Sequence, residues 1–495
     1  MSPTNGITLH PMLVIWMVAP EEEPHCQGRP GRYSEAGSAQ KIFYDPLSIT
    51  QDLLLESAFE ARGKGAPTVD EARATFDEVA RRHTLDRYAF EADGRIWYIR
   101  NRSRPDFAKD PLAGRRWVLL LRTDESDVAR IELEGHDVRA ALAWLPLLDG
   151  RHDELEVSSA AGRSSAGARV FAALDSIGAI VGMPEEKPLV LDELPELLFV
   201  SHSSVFVRGD HASILIDPAI LTSTELLGRE GRRPFQIVSS VDALLVSHCH
   251  WDHLSFQTML RVPRRTTIFV PRATKSALHS PPLERYLEAF GFEDVREVEA
   301  WQTAAIGDVE VTFVPFFGEP FGLDSRFDAF TYLVRAKGRT IYGSLDACHD
   351  EAGDMDPVFS RLGQEESVDV FLFGSSAQRH DPLYRGAFMR HYSNELIDRP
   401  DLVRYHPNVD DVLRWCGLLR PRTILPYANF VYFGARLDDV CLGDPTNAEA
   451  YWGSLGERAP SYARPWKNEL GRLAQDGSAP PLMMLHPMQG LRLGD

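Results

Sequence analysis

The stretch "VSHCHWDHLS", Val246 to Ser255, sets three histidines and an aspartate within six residues: His248, His250, Asp252 and His253. Positions i, i+2, i+4 and i+5 cannot all share one side of a regular element, because strands repeat every two residues and helices every 3.6. They converge where a strand ends and a helix starts. In that geometry His248 and His250 point together from the loop, while Asp252 and His253, at the helix entrance, turn toward a second position. The pattern predicts two metal ions a few ångströms apart. It leaves open which metal they are: zinc for hydrolysis, or iron for oxygen activation.

Outward from this cluster the chain reads as short apolar strands alternating with helices. "DALLVSH" is a buried strand running into the histidines, and "LLFVSHSSVFVRGDHASILIDP" gives two strands around the Arg208 to His211 turn, ending at Asp217-Pro218. "TTIFVP", "VEVTFVPFF", "FTYLVRAKGRTIYGSLDA" and "VDVFLFG" follow in the same style, with "RTILPYANFVYF" as the last strand candidate. Such an order suggests two sheets sandwiched between helices.

Residues 1–190 have a different texture and read as an α+β accessory region. "PMLVIWMVA", Pro11 to Ala19, is a buried strand, too short for a membrane span and lacking a basic start. "TVDEARATFDEVARR" opens with a capping box, Thr68 and Glu71, and carries one apolar helical face. "YAFEADGRIWYIR" is a hairpin turned at Asp93-Gly94, and "WVLLLR", Trp117 to Arg122, a further strand. Residues 137–182 give two helices, the second ending at Gly178; they resemble small winged-helix-like modules, or pack as a helical pair that mediates a homodimer.

At 495 residues, with 44% hydrophobic and 25% charged residues, the chain is globular and long enough for two or three domains. A net charge of -19 argues against a general nucleic-acid partner. Five scattered cysteines, odd in number and without a CxxC pair, argue against a disulfide framework. Together with the missing secretion signal and membrane span, they predict a cytoplasmic protein with no membrane partner.

The motif His248-Cys-His250-Trp-Asp252-His253 resembles the HxHxDH signature of the metallo-β-lactamase superfamily. Asp217 in "ILIDP" matches that family's early strand-end aspartate, and Asp346 in "IYGSLDA" its metal-bridging carboxylate. The resemblance covers residues 195 to about 435. It implies an α/β fold of the αββα sandwich type, with a catalytic domain over residues 191–495 and a C-terminal extension from about residue 440.

The departures from the hydrolases are informative. They supply a further histidine between HxHxDH and the bridging aspartate, yet here that interval holds only His279, and the expected position reads "FFGEPFG" with Glu319. A carboxylate among Phe316, Phe317, Pro320 and Phe321 is costly to bury unless paired or coordinated. With Glu319, the ligand set is His248, His250, His253, Asp252, Asp346 and Glu319. Three carboxylates suit iron or manganese better than zinc. The aromatic residues, with Phe327 and Phe330, wall an apolar pocket or simply pack the core.

This set resembles the diiron oxygenase branch of the superfamily, natural-product hydroxylases of the chloramphenicol-pathway type. The resemblance implies two iron ions, O2 as co-substrate and a monooxygenase acting on a C–H bond of an antibiotic or other natural-product intermediate, with Glu319 and Asp346 catalytic. The substrate would be small, hydrophobic or aromatic, and carried as a thioester on coenzyme A or a carrier protein, whose phosphates Arg379, Arg385 and Arg390 could hold. Electrons would come from an external reductase or ferredoxin. The family's late histidine is missing: "ILPYANFVYF" offers Tyr427, Ala428 and Asn429. Candidates to complete the shell are Asn429, His380 and His391, with His349 a ligand or an orienting donor. His202 faces the site from a strand end, and Asp217 is expected to hold His248 or His250 by a ring N–H. Two other readings stay open: a dinuclear zinc (two Zn2+) hydrolase of an ester, thioester or lactone, and a non-catalytic metal-binding assembly protein.

Overall fold

The computed structural model describes, apart from short gaps, residues 6–20, 89–98, 112–182, 189–220, 233–248, 253–272, 283–318, 329–374, 407–427 and 480–493. Its N-terminal part contains strands β1 (Ile7–Leu9), β2 (Val14–Val18), β3 (Ala89–Ala92), β4 (Arg95–Tyr98), β5 (Arg116–Arg122) and β6 (Ala129–Glu134). Helices α1 (Gly135–Leu142), α2 (Glu154–Ala161) and α3 (Ser165–Ser176) and strand β7 (Ile180–Gly182) follow. β2, β5 and β6 form an antiparallel sheet, and β1 pairs with β7. Ala92 pairs with Arg95 between β3 and β4, and the expected turn at Asp93-Gly94 lies outside the described residues. Helix α3 stops where Gly178 takes a φ of 67°. The helix expected from Thr68 lies outside the described residues.

The chain then builds two sheets. The first holds β8 (Leu197–Ser201), β9 (Ser204–Arg208), β10 (Ser213–Ile216), β11 (Ala243–Leu245), β12 (Thr267–Pro271) and β13 (Val295–Val298), with helices α4 (Arg233–Val238), α5 (Phe256–Met259) and α6 (Leu283–Ala289) between its later strands. The second holds β14 (Thr303–Ile306), β15 (Val309–Pro315), β16 (Phe330–Ala336) and β17 (Arg339–Gly343). A short β18 (His349–Asp350) and β19 (Gly353–Asp354) hairpin and α7 (Met355–Glu365) follow; β20 (Val370–Gly374), α8 (Val409–Leu419) and β21 (Thr423–Tyr427) complete that sheet. Finally β22 (Gln489–Leu491) returns to the first sheet and pairs antiparallel with β8.

Two expectations need correcting. The 197–216 region forms three strands rather than two, because the chain reverses at His202 and Ser203, with His202 at φ 40°. The last strand is β22, not the one in "RTILPY": three residues, Gln-Gly-Leu, carry no period by which to recognise a strand.

Alternation along each strand decides which residues meet. In the first sheet Leu197, Phe199, Val205, Val207, Ile214, Ile216, Leu245 and Phe269 face the second sheet and share its core. Their neighbours Leu198, Val200, Phe206, Leu215, Leu244, Val246, Ile268 and Val270 face the other way, into a core shared with Ile15, Leu119, Leu121, Val138 and Val170 of the N-terminal part. That core is sealed by polar bonds: Gln257 Nε2 donates to the Ile15 carbonyl at 2.6 Å, and Arg264 Nη2 to the Leu142 carbonyl at 3.2 Å. On the second sheet α7 and α8 pack through Phe359 and Trp415, stacked at 4.4 Å. The result is an α/β sandwich of two sheets between helical layers. Among the described residues, no helix is long and apolar enough to cross a membrane.

Cys416 on α8 lies inside this packing, and burial pushes its thiol up to about 12. The thiolate is the reactive form. A maleimide at neutral pH is therefore expected to leave Cys416 unmodified in the native protein and to label it after unfolding in urea, as read by peptide mass spectrometry.

Candidate metal centre

Four parallel strands, β10 to β13, and three more, β17, β20 and β21, run in parallel pairs within their sheets. The residues that follow β10, β11 and β17 meet at one end of the sandwich, where loops outside the carboxyl ends of parallel strands gather. The Phe330 N–H, opening β16, donates to the Ser247 carbonyl at 3.2 Å and ties the histidine-bearing turn of one sheet to the other.

Here His248, His253 and Asp346 come together. They are 0%, 0% and 3% exposed, and their potential ligand atoms all lie within 4.8 Å of one another. The two imidazole rings are 4.0 Å apart, and His253 Nε2 is 2.9 Å from Asp346 Oδ2. Phe316, just after β15, packs its ring 5.7 Å from that of His248. The Phe317 carbonyl accepts from the Cys348 N–H at 2.6 Å, so the end of "VEVTFVPFF" is fastened two residues beyond Asp346.

Asp217 forms the far side of the centre. Its Oδ2 is 2.7 Å from His253 Nδ1 and 2.8 Å from Ser247 Oγ, and its Oδ1 accepts from the Ser247 N–H at 2.7 Å. Ser247 Oγ is in turn 2.8 Å from His248 Nδ1. Of the two histidines expected to be held by Asp217, His248 is reached through Ser247 and His250 lies outside the described residues; the imidazole that Asp217 contacts directly is that of His253. The cause is local. Asp217 sits at φ 48°, and its backbone N–H donates to the Leu245 carbonyl at 2.7 Å, which aims the side chain past His248.

Backbone strain concentrates around these residues. His202, Asp217 and Leu345 are non-glycine residues at φ 40°, 48° and 53°, each costing of order 1–3 kcal/mol. Leu345 directly precedes Asp346; its N–H donates to the Tyr427 hydroxyl at 3.1 Å, and its carbonyl accepts from the Gly374 N–H at 2.9 Å. Burial first, and then the charges of Asp217 and Asp346, push the Tyr427 phenol well above its ordinary range, so it remains a neutral hydroxyl. The Tyr332 phenol is raised in the same way, by burial and then by Asp217.

The donor set fits a metal ion. In the interior His253 stands between two carboxylates, an arrangement whose desolvation is costly without further positive charge. A cation shared by His253 Nε2, His248 and Asp346 supplies that charge and leaves the His253 Nδ1–H for Asp217, the usual way a ligating imidazole is oriented.

Of the residues named from sequence, the structure brings together His248, His253 and Asp346, with Asp217 behind them. His202 stands at the edge, buried, its ring 6.1 Å from His253 and edge-on to it. The turn that carries His253 precedes the helix, which begins only at Phe256 with Ser255 as its cap. Among the described residues, His349 is not part of the cluster; it lies in the β18–β19 hairpin with Nδ1 3.8 Å from Cys348 Sγ. Phe330 packs in the core against Phe313 and Tyr332. His250, Asp252, His279, Glu319, Phe321, Phe327, Arg379, His380, Arg385, Arg390, His391 and Asn429 lie outside the described residues. Sequence reasoning missed Ser247 and Tyr332, and noted Tyr427 only for standing where the family's late histidine is missing. Only Ser247 carried a local signal, as a hydroxyl next to the first histidine of the motif.

Residues 213–427, which hold most of the two sheets and the site, match the family described as a beta-lactamase superfamily domain. Over 202 residues the chain is 31% identical to the 4-amino-L-phenylalanyl-(CmlP peptidyl carrier protein) 3-hydroxylase of Streptomyces venezuelae; the aligned part is 40% of this chain and spans 38% of that relative's length. Among solved structures it is similar to CmlA, a diiron β-hydroxylase from Streptomyces venezuelae, with a TM-score of 0.57 at 16% identity over 99% of this chain and all of that one. A point variant of the CmlA β-hydroxylase gives a TM-score of 0.56 at 17% identity over 98% of this chain. The similarity in fold to CmlA thus extends beyond the matched domain to the N-terminal part.

Proposed function

We propose that the protein is a non-heme diiron monooxygenase that hydroxylates a C–H bond of a natural-product intermediate carried as a thioester, on a carrier protein or on coenzyme A. The observation that carries this reading is the buried His248–His253–Asp346 cluster, set in a chain that shares its fold from end to end with a diiron β-hydroxylase. The 31% identity to a hydroxylase of a carrier-protein-bound amino acid supports the tether.

The ligand set extends in this reading to His250, Asp252 and Glu319. What supports Glu319 is its position in the chain: of the three residues before it, Phe316 lies against His248, Phe317 is bonded to Cys348, and Gly318 turns at φ 122°. Residues 1–190 act as an accessory domain and residues 191–495 as the catalytic one. The accessory domain is also where we place a homodimer contact.

Two bound iron ions would supply oxygen activation with electrons from an external reductase or ferredoxin. The chain's own residues do the rest. Asp217 and Ser247 orient the imidazoles, and Asp346 carries negative charge to the middle of the cluster. Phe316 keeps the His248 side apolar and dry, and Tyr427 holds the Asp346 turn without contributing charge.

The test is to load the full-length protein with Fe(II) without oxygen, then supply a reductant, O2 and an aromatic amino acid loaded on a carrier protein. The expected result is two irons per chain, O2 consumption and a product heavier by one oxygen atom. Retention of zinc alone, with thioester cleavage and no O2 uptake, would establish the hydrolase instead. Glu319→His, which restores a hydrolase-type ligand set, is expected to retain zinc in preference to iron by metal analysis.

A further inference from the structure

The geometry points to Ser247 as a positioning residue that sets the tautomer of His248 and ties both cluster histidines to one carboxylate. This inference rests on the reading of His248 and His253 as metal ligands.

Asp217 receives three donors. Its Oδ1 accepts from the Ser247 backbone N–H at 2.7 Å, and its Oδ2 faces both Ser247 Oγ at 2.8 Å and His253 Nδ1 at 2.7 Å. A carboxylate only accepts, so the single hydroxyl proton of Ser247 must point at Asp217. Ser247 Oγ then has only lone pairs left for His248 Nδ1, 2.8 Å away. That contact is favourable in one form alone: His248 carries its proton on Nδ1 and donates it to Ser247. The lone pair of its neutral ring is thereby placed on Nε2. The same logic gives His253 an Nδ1–H directed at Asp217 and turns its Nε2 toward Asp346, at 2.9 Å.

The arrangement has no slack. Ser247 and Asp217 are both completely buried, so water cannot replace the hydroxyl without a cavity being opened for it. The Ser247 carbonyl is occupied by the Phe330 N–H at 3.2 Å, which fixes the rotation of the residue about the strand end. The Nδ1 edge of His248 is thus held by a hydroxyl that a methyl group would abolish.

The experiment compares the full-length chain with Ser247→Ala and Ser247→Thr. In the metal-free protein, nitrogen NMR of labelled histidine, with the His248 signals assigned by their loss in His248→Gln, is expected to show Nδ1 protonated and Nε2 bare. Ser247→Ala should convert this to a mixture of tautomers, and Ser247→Thr should restore it. Titration with Co(II), followed by its visible absorption, should show affinity weakened by about 10- to 100-fold in Ser247→Ala and recovered in Ser247→Thr. Thermal melting checks that the variants fold. If Ser247→Ala does not fold, Ser247→Cys, whose thiol is only a weak donor, serves in its place. An unchanged tautomer and unchanged affinity without the hydroxyl, or no recovery in a folded Ser247→Thr, would overturn the inference. Failure of the wild-type chain to bind metal would instead overturn the reading of the ligands, and the tautomer comparison would still decide the role of Ser247.

Discussion

Replacing Asp346 by asparagine is expected to leave a folded protein that no longer holds two metal ions and has lost hydroxylation. The turn bearing Asp346 is fixed by main-chain bonds that the substitution leaves alone: Ala347 N–H to the Ser344 carbonyl, Gly374 N–H to the Leu345 carbonyl, and Leu345 N–H to Tyr427. The amide has nearly the volume of the carboxylate, so the effect falls on charge. Asp346 is 3% exposed and within 4.8 Å of both imidazoles, where the negative charge has no water to share it with. A neutral amide can no longer offset a cation there, and it offers an N–H2 group where a ligand lone pair is needed. A bound metal contributes several kcal/mol of charge stabilisation. With about 1.4 kcal/mol per tenfold in rate, losing it lowers turnover by roughly a thousandfold or more. Metal content by mass spectrometry and single-turnover product yield are the measurements; full metal content with wild-type yield would show that Asp346 is not a ligand.

Gly374→Ala is expected to be strongly disruptive for the second sheet and for the turn that bears Asp346. A Cβ at this position would stand 2.1 Å from the Leu345 carbonyl oxygen and 3.1 Å from Asp346 Oδ1. The first contact is with backbone, and neither party can yield cheaply. Gly374 closes β20, which is paired on both sides, by β17 and β21, while Leu345 already stands at a strained φ of 53°. Overpacking of this kind costs about 1–3 kcal/mol and sometimes more, which is several degrees in melting temperature for a domain of this size. The displaced turn should also weaken metal binding, so stability and affinity fall together. Gly343→Ala is the comparison: its Cβ would meet the Tyr427 hydroxyl at 3.1 Å, a side-chain contact far milder than the 2.1 Å approach to backbone at Gly374. Equal melting temperatures for the two variants would refute this account of Gly374.

What could be read from the sequence was whatever depends on neighbours in the chain. His248 and His253 were legible because their spacing makes sense only at a strand end, and Asp217 and Asp346 because each stands after an apolar strand where the resembled superfamily carries an aspartate. The turn at Lys337-Gly338, with φ of 51° and 69°, divides "FTYLVRAKGRTIYG" into β16 and β17, a break that the sequence reading did not mark. Links across the sandwich were not legible. That Asp217 would reach His253 and only indirectly His248 depends on a left-handed backbone at Asp217, which no side-chain pattern announces. Tyr427 was noted only for standing where the family's late histidine is missing; its task shows only when β21 lies beside β20 and its hydroxyl is found accepting from the Leu345 N–H. β22 was missed because its place is defined by a partner strand almost three hundred residues away.

That last pairing has a consequence for how the protein is made. Arg492 Nη2 bonds the Glu193 carbonyl across a separation of 299 positions, the Leu493 N–H is held by Glu196, and Met488 N–H bonds Phe199. While a ribosome is still working through the intervening chain, β8 is an edge strand with an open row of hydrogen-bonding groups. The first sheet acquires its border only after residues 489–491 have emerged, so β8 waits for its second partner until almost three hundred further residues have been made. A nascent chain stalled before that point would present β8 to any strand that passes, making it a natural client for a chaperone and a ready seed for aggregation.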